Sequence, residues 1–478
     1  ERVAIVALLL NVALLLFAWR RHREAQRAMT QRVAAEARAS RLKTRDLETQ
    51  LLNRQSLRES CGALIETARA ERGNVGLMVI NLNRFKRINE IYGEGVGDGL
   101  LRLIAALLLN TVPRNGLCAR RGGDDFAVAL PFDKASEDKV KELPPDIVTQ
   151  LNRPIELMGA RLKISASIGL SRLAYDCADF STLLRRADIA MNAAKDLGKP
   201  RPLWFDAKME KALRQQNEVE VGLRAGIPLG EFVPYYQPQI AFATGELRGF
   251  EMLARWHHPA GGVVGPDVFI PVAEETGLIA DLFETLARAA FLEAKHWDPR
   301  LTLSVNISPR QLSDPWLAEK ILKLLTETGF PARRLEVEIT ESGLFENLEV
   351  AQTVVASLKA QGIRLSLDDF GTGYSSLAHL RALPFDRIKI DRGFVLTLNK
   401  DPQSWTMVQS IADLGRNLGV PVTVEGVESA AIELRVRDLG CEIGQGWFYG
   451  RGAPAEETRR LIAEQGCAGE TGTAAEAA

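Results

Sequence analysis

The chain has 478 residues, of which 46% are hydrophobic and 25% charged, with a formal net charge of −1 at pH 7. Such a length suggests about three units, and the composition excludes a disordered chain. The near-neutral balance excludes a global field drawing the protein to nucleic acid, so no DNA partner is expected. The cysteines, Cys61, Cys118, Cys177, Cys441 and Cys467, are scattered with no pair at metal-ligand spacing. That suits a reducing compartment and excludes a disulfide framework.

The sequence begins at Glu1 rather than Met, which reads as a fragment of a longer protein. Residues 3–19 are apolar except for Asn11. As a helix they span roughly 26 Å, just short of the ~30 Å hydrocarbon core. A buried core helix and a signal-peptide core fit the same length. The edge Trp19-Arg20-Arg21 with Arg23 favours the cytoplasmic end of a transmembrane helix. The expectation is therefore an inner-membrane protein with cytoplasmic domains. Residues 20–45 carry nine Lys or Arg against two Asp or Glu and no Pro or Gly, a helical stalk. A solvated helix and one that touches anionic lipid fit it equally.

Residues 46–206 read as an α/β unit. Stretches 75–82, 127–130 and 162–170 have strand character, and 56–72, 99–109 and 181–195 are helical. A polar amphipathic helix over 208–224 leads to Gly226 and Pro228, a natural joint.

From 231 to 454 short apolar strands alternate with helices. Strands are expected at 301–307, 335–340, 363–368, 387–391 and 422–425, with helices near 317–328, 350–361, 404–418 and 430–439. Serial βα units close either into a barrel or an open doubly wound sheet. The polar residues choose the barrel. Glu336, Glu338 and Thr340 share one face of their strand, Lys389 and Asp391 one face of theirs, and Ser304 and Asn306 another. Period 2 then sends apolar groups to the helix layer and polar groups inward. Beyond about 454 the chain turns to Ala, Glu and Gly, and the last dozen residues read as disordered.

Glu251, Asn306, Glu338, Asp368, Asp369, Lys389 and Glu425 all fall at or near expected strand ends, the functional face of such a barrel. Each alone is weak evidence; together they would repel unless cations neutralise them. Oxygen ligands without His or Cys suit Mg²⁺ or Mn²⁺. Two such ions would clamp a phosphodiester, with Asp368 and Asp369 serving one ion each or bridging both. Lys389 would orient the attacking water or offset phosphorane charge.

These residues sit in recognisable words: Tyr236-Gln237-Pro238, Glu251-Met252-Leu253 with Arg255-Trp256, Asn306-Ile307-Ser308, Glu338-Ile339-Thr340-Glu341, Asp368-Asp369-Phe370-Gly371, Lys389-Ile390-Asp391, Glu425-Gly426-Val427-Glu428 and Gln445-Gly446. The stretch resembles the EAL phosphodiesterase domain throughout, with EML in place of the signature triplet. The resemblance implies a modified TIM-type (β/α) barrel that cuts cyclic di-GMP to linear pGpG. It assigns metal to Glu251, Asn306, Glu338, Asp368 and Asp369, and water positioning or activation to Lys389 and Glu425. Gln237, Arg255, Asp391, Glu428 and Gln445 would contact the dinucleotide, and Glu341 would brace the loop 370–377. The alternative is a non-catalytic cyclic di-GMP receptor; the intact water-activating groups speak against it.

Residues 46–206 resemble the GGDEF diguanylate cyclase domain, through Gly122-Gly123-Asp124-Asp125-Phe126, Asn89, Asp98 and Lys195. Asn81 and Asn83 stand where the family places metal-binding aspartates, and Asp125 is one methylene shorter than the usual glutamate. At 113–116, Pro-Arg-Asn-Gly replaces the product-inhibition motif. A cyclase needs anionic oxygens for Mg²⁺ on GTP, so this domain is expected to make little or no cyclic di-GMP. Asn89, Asp98, Gly122, Gly123, Asp124 and Lys195 would still bind GTP as an effector, or the domain is a spacer or dimerisation module. The resemblance also implies a homodimer. The expected order is a transmembrane helix (1–19), stalk (20–45), α/β GGDEF domain (46–206), helical linker (207–228), EAL barrel (229–455) and tail (456–478).

Overall fold

The computed structural model describes residues 19–23, 26, 29, 43–133, 136–173, 179–197, 201–346, 348–371, 383–398 and 401–465. The chain divides into two compact units, Glu1–Gln215 and Gln216–Ala478.

In the first unit the central strand is β1 (Asn74–Leu82), flanked by β3 (Asp125–Phe132) and β6 (Ala166–Arg172). With β2 (Leu117–Gly122) and β7 (Leu203–Trp204) the sheet order is β2-β3-β1-β6-β7. Period 2 divides β1 between two cores. Val75, Leu77 and Val79 pack with Leu57, Cys61 and Ile65 of the helix Arg54–Ala70 and with Leu183 and Ala187 of the helix Phe180–Asp196. Met78, Ile80 and Leu82 pack with Leu100, Ile104 and Leu108 of the helix Glu94–Thr111. The strand expected over 162–170 is two elements. β4 (Ile155–Leu157) and β5 (Ala160–Leu162) make a separate hairpin, and β6 starts only at Ala166.

In the second unit, among the described residues, eight strands close into a barrel. They are β8 (Phe232–Ala241), β9 (Leu247–His257), β11 (Thr302–Ile307), β12 (Leu335–Thr340), β13 (Arg364–Phe370), β14 (Arg387–Ile390), β15 (Val422–Val424) and β16 (Ile443–Gln445). β9 and β11 through β16 are parallel in that order, and β10 (Val263–Val264) pairs antiparallel to the outer end of β9. β8 runs antiparallel to both β9 and β16 and closes the ring. Leu303, Val305, Val337, Ile339, Ile388 and Ile390 join one apolar core with the helices outside, so the alternation expected from sequence is the alternation of the barrel wall. The helix Pro402–Leu418 shows the local logic: Asp401 accepts from Gln403 and Ser404 N–H at its start, and Gly419 ends it at φ +68°.

The expected N-terminal membrane helix requires correction. No helix among the described residues is long and apolar enough to cross a membrane. Residues 1–18, which hold nearly all of the apolar run, lie outside the described residues, as do most of the stalk and all of 466–478. The described residues thus give no support to the inner-membrane placement or to the membrane partner expected with it.

Candidate active site

The inward positions of the barrel strands converge on one ammonium group. Lys389 is fully buried on β14. Its Nζ lies 2.6 Å from Glu338 Oε2, 2.6 Å from Glu425 Oε1, 3.3 Å from Glu251 Oε2 and 3.4 Å from Asp368 Oδ1. Burial alone would lower its pKa, but those carboxylates hold it well above the usual lysine range. It is a permanent cation in this setting.

Glu251 is buried on β9, where Asn306 Nδ2 donates to its Oε1 at 2.7 Å and Gln445 Nε2 to its Oε2 at 2.5 Å. Burial would raise its carboxyl; Lys389 and these donors outweigh that and hold it below its ordinary value. It is the fifth residue of an eleven-residue strand, not a strand-end residue as expected, because β9 runs on past the mouth paired to β8. Glu338 is held well above the carboxylate range by burial and then by repulsion from Glu251, and its Oε1 is buried without a hydrogen-bond partner.

Asp368 and Asp369 face the same mouth because β13 is irregular there. The pairing to β14 shifts between Leu367 and Phe370, and Asp369 adopts φ +55°. A regular strand would send adjacent side chains to opposite faces; a bulge re-aims one of them. Oxygens of Asp368, Asp369 and Glu425 lie within 4.8 Å of one another. Burial, then Asp368 and Asp391, push Asp369 up to about 6. Burial also pushes Glu425 up to about 8, against the pull of Lys389. Four carboxylates around one ammonium, with Asp369 beside two of them and one buried Glu338 oxygen unpartnered, form a donor set that suits hard divalent cations. Glu425 thus joins the cation-sized cluster, whereas the family resemblance assigned it only to positioning or activating water.

A cavity of about 910 Å³ opens over this centre, lined by Gln237, Arg255, Asp391, Glu428, Gln445 and Trp447 among others. Gln237 lies directly across from Glu251 in the β8–β9 ladder. Arg255 is half-buried, its guanidinium 5.6 Å from the Tyr235 ring centroid. Asp391 also caps the helix Arg392–Thr397, accepting from Gly393 N–H at 2.9 Å. Glu341 accepts from Gly371 N–H at 3.2 Å; the loop beyond Gly371 that it is expected to brace lies outside the described residues. Sequence reasoning missed Trp447, Arg392 and Asp267, all on the cavity wall. The signal for Trp447 was its place directly after Gln445-Gly446.

In the first unit Asn81 stands opposite Asp125 in the β1–β3 register. Asn81 Nδ2 donates to Asp125 Oδ1 at 2.8 Å, and Lys195 Nζ donates to Asn81 Oδ1 at 3.4 Å. Gly122 and Gly123 turn the β2–β3 hairpin at φ +134° and +54°, and Asp124 accepts from Leu82 N–H through its backbone carbonyl. Arg120 grips the Gly123 carbonyl and Asp46. Asn89 Oδ1 is buried without a partner, beside Gly97 and one residue short of Asp98.

The EAL domain family model matches residues 220–452, and the model for the diguanylate cyclase GGDEF domain matches 43–201. An uncharacterised protein of Mycobacterium bovis is 33% identical over 436 residues, covering 90% of this chain and 70% of that protein. The chain belongs to the tandem GGDEF–EAL family. The cyclic di-GMP phosphodiesterase PdeR of Escherichia coli K12 is 32% identical to it over 430 residues, 89% of this chain and 64% of PdeR. The solved EAL enzyme Bd1971, bound to cAMP and cyclic di-GMP, covers 72% of this chain and 82% of its own at a TM-score of 0.51 and 22% identity, a likeness of fold. The chain spans about half the length of several curated relatives it matches.

Proposed function

We propose that the EAL barrel of this chain hydrolyses cyclic di-GMP to linear pGpG with two divalent cations, Mg²⁺ or Mn²⁺. The observation that carries the reading is the ring of buried carboxylates around Lys389, beneath a cavity large enough for a dinucleotide. A receptor has no need of a lysine and a high-pKa glutamate 2.6 Å apart at the reacting end. The phosphodiesterase name of a relative supports the same substrate.

Glu251, Asn306, Glu338, Asp368 and Asp369, with Glu425, would hold the cations. Bound there, they would neutralise the carboxylates and draw electron density from the phosphoryl oxygens. Water adds to phosphorus as the bond to the 3′ oxygen breaks. One water proton would pass to the Glu425 carboxylate, which Lys389 holds at 2.6 Å, and on to the 3′ oxygen, which leaves as a hydroxyl, while the other proton stays with the new phosphate. Lys389 holds Glu425 and Glu338 in place and remains charged. Gln237, Gln445 and Arg255 would orient the dinucleotide, with Asp391 and Glu428 reaching its bases.

In the GGDEF unit, Asn81 engages both Asp125 and Lys195 through neutral amide atoms, which supports loss of cyclase chemistry. We read Asn89, Asp98, Gly122, Gly123, Asp124 and Lys195 as a GTP site that regulates the barrel, within a homodimer. Calorimetric titration of GTP into the protein tests the first point: no binding heat, with or without Mg²⁺, would overturn it.

A further inference from the structure

Beneath the carboxylate ring lie further buried polar side chains, of which Arg387, Glu336 and Gln239 take no part in the reaction above. Arg387 on β14 and Glu336 on β12 form a buried ion pair, Nε to Oε1 at 3.3 Å. From Arg387 a run of hydrogen bonds crosses the interior. Its Nη1 donates to Gln239 Oε1 at 3.4 Å, Gln239 Nε2 donates to Gln445 Oε1 at 3.1 Å, and Gln445 Nε2 donates to Glu251 Oε2 at 2.5 Å and Gln237 Oε1 at 3.0 Å. Gln237 Nε2 ends the run on the Gly450 carbonyl at 3.2 Å. Gln239, Gln445, Arg387 and Glu336 are all more than nine-tenths buried.

The polarity of this run follows from its ends. A side-chain amide can present oxygen or nitrogen to a neighbour, and its own shape does not choose. Arginine only donates, while a carboxylate and a peptide carbonyl only accept. With Arg387 at one end, Gln239 must turn its oxygen toward it and its nitrogen toward Gln445. Gln445 must then turn its nitrogen toward Glu251 and Gln237. Reversal of Gln239 alone would set amine against guanidinium and oxygen against the Gln445 oxygen. Low local dielectric makes each such mismatch costly.

The geometry points to Arg387, ion-paired with Glu336, as a positioning residue that acts through Gln239 and Gln445 to aim the Glu251 carboxylate and the Gln237 amide at the metal and substrate. This rests on the reading that Glu251 holds a cation. Partners of metal ligands that lie one bond further out alter affinity by about 10–100-fold when lost, and this run supplies Glu251 with one of its shortest hydrogen bonds.

The test uses the full chain and Mn²⁺ as the probe, by calorimetric titration alongside turnover. Replacing the ion pair together, Arg387→Met with Glu336→Met, avoids a lone buried charge. Gln239→Met cuts the run without touching the pair, and Arg387→Lys keeps a donor-only end. The expectation is that the paired variant and Gln239→Met each weaken Mn²⁺ binding by about 10-fold or more, with turnover recovering in excess Mn²⁺. Arg387→Lys stays within about 3-fold of wild type, because the donor polarity is kept. Restoration by excess metal would not follow from a misfolded barrel. Wild-type affinity and turnover in Gln239→Met overturn the proposal, whether or not the paired variant folds. A wild-type protein with no Glu251-dependent Mn²⁺ binding removes the functional reading itself.

Discussion

Lys389 and Glu338 face each other across the barrel interior 2.6 Å apart, both fully buried. Breaking a buried pair by deleting one partner leaves an uncompensated charge and costs about 3–5 kcal/mol. Here the lysine serves several carboxylates, so Lys389→Met should destabilise the metal-free barrel by at least that much and abolish turnover. Mn²⁺ should raise the variant's Tm more than the wild type's, since the cation then meets carboxylates without their internal counter-ion. Thermal unfolding with and without Mn²⁺ checks this.

Stability of the metal-free barrel should depend on pH through Glu425 and Asp369. Their folded-state values, about 8 and about 6, lie above the ordinary 4.5 and 3.8. Between these values the folded state binds more protons than the unfolded chain, so their contribution weakens stability as pH rises through that window and is fully lost above it. Tm of the barrel transition should fall from about pH 5 to about pH 8 more steeply in wild type than in Glu425→Gln. Saturating Mn²⁺ should flatten the difference. Equal slopes in the two metal-free proteins would refute this.

Asp369→Asn should keep the bulge, because asparagine tolerates the left-handed region that φ +55° requires. The anionic oxygen goes, and Mn²⁺ affinity should fall by at least about 100-fold, because losing a ligand costs no less than losing one of its outer partners. Asp369→Val would fail differently, by misfolding at the bulge, so circular dichroism separates strain from lost ligation.

In the first unit, Asn81→Asp would place a carboxylate directly opposite Asp125. Like charges in that relation are destabilising by a few tenths to about 1 kcal/mol. The variant should melt below wild type without metal and recover when Mg²⁺ and GTP are added. Recovery absent under those conditions would mean that the pair no longer forms a cation site.

The parts of the barrel legible in the sequence were those where each strand alternates strictly. Leu335–Thr340 and the helix Leu317–Thr328 stand at the expected bounds. β8 was not legible as a strand: Pro234 and Pro238 lie inside it, and proline normally demotes a strand reading. Its antiparallel place at the closure of the ring depends on all the other strands. The common direction of Asp368 and Asp369 was also hidden, because a bulge is set by two strands and not by one. The same holds for Arg387 and Gln239, far apart in sequence and joined only when β14, β16 and β8 close. The membrane helix was read from an apolar run and a basic edge, and residues 1–18 of that run lie outside the described residues.

The central claim is tested most directly by incubating the protein with cyclic di-GMP and Mg²⁺ or Mn²⁺, beside Glu251→Ala. The account predicts metal-dependent release of linear pGpG by the wild type and none by the variant. Tight binding of cyclic di-GMP without cleavage, under either metal and with GTP present, would contradict it and make the barrel a receptor.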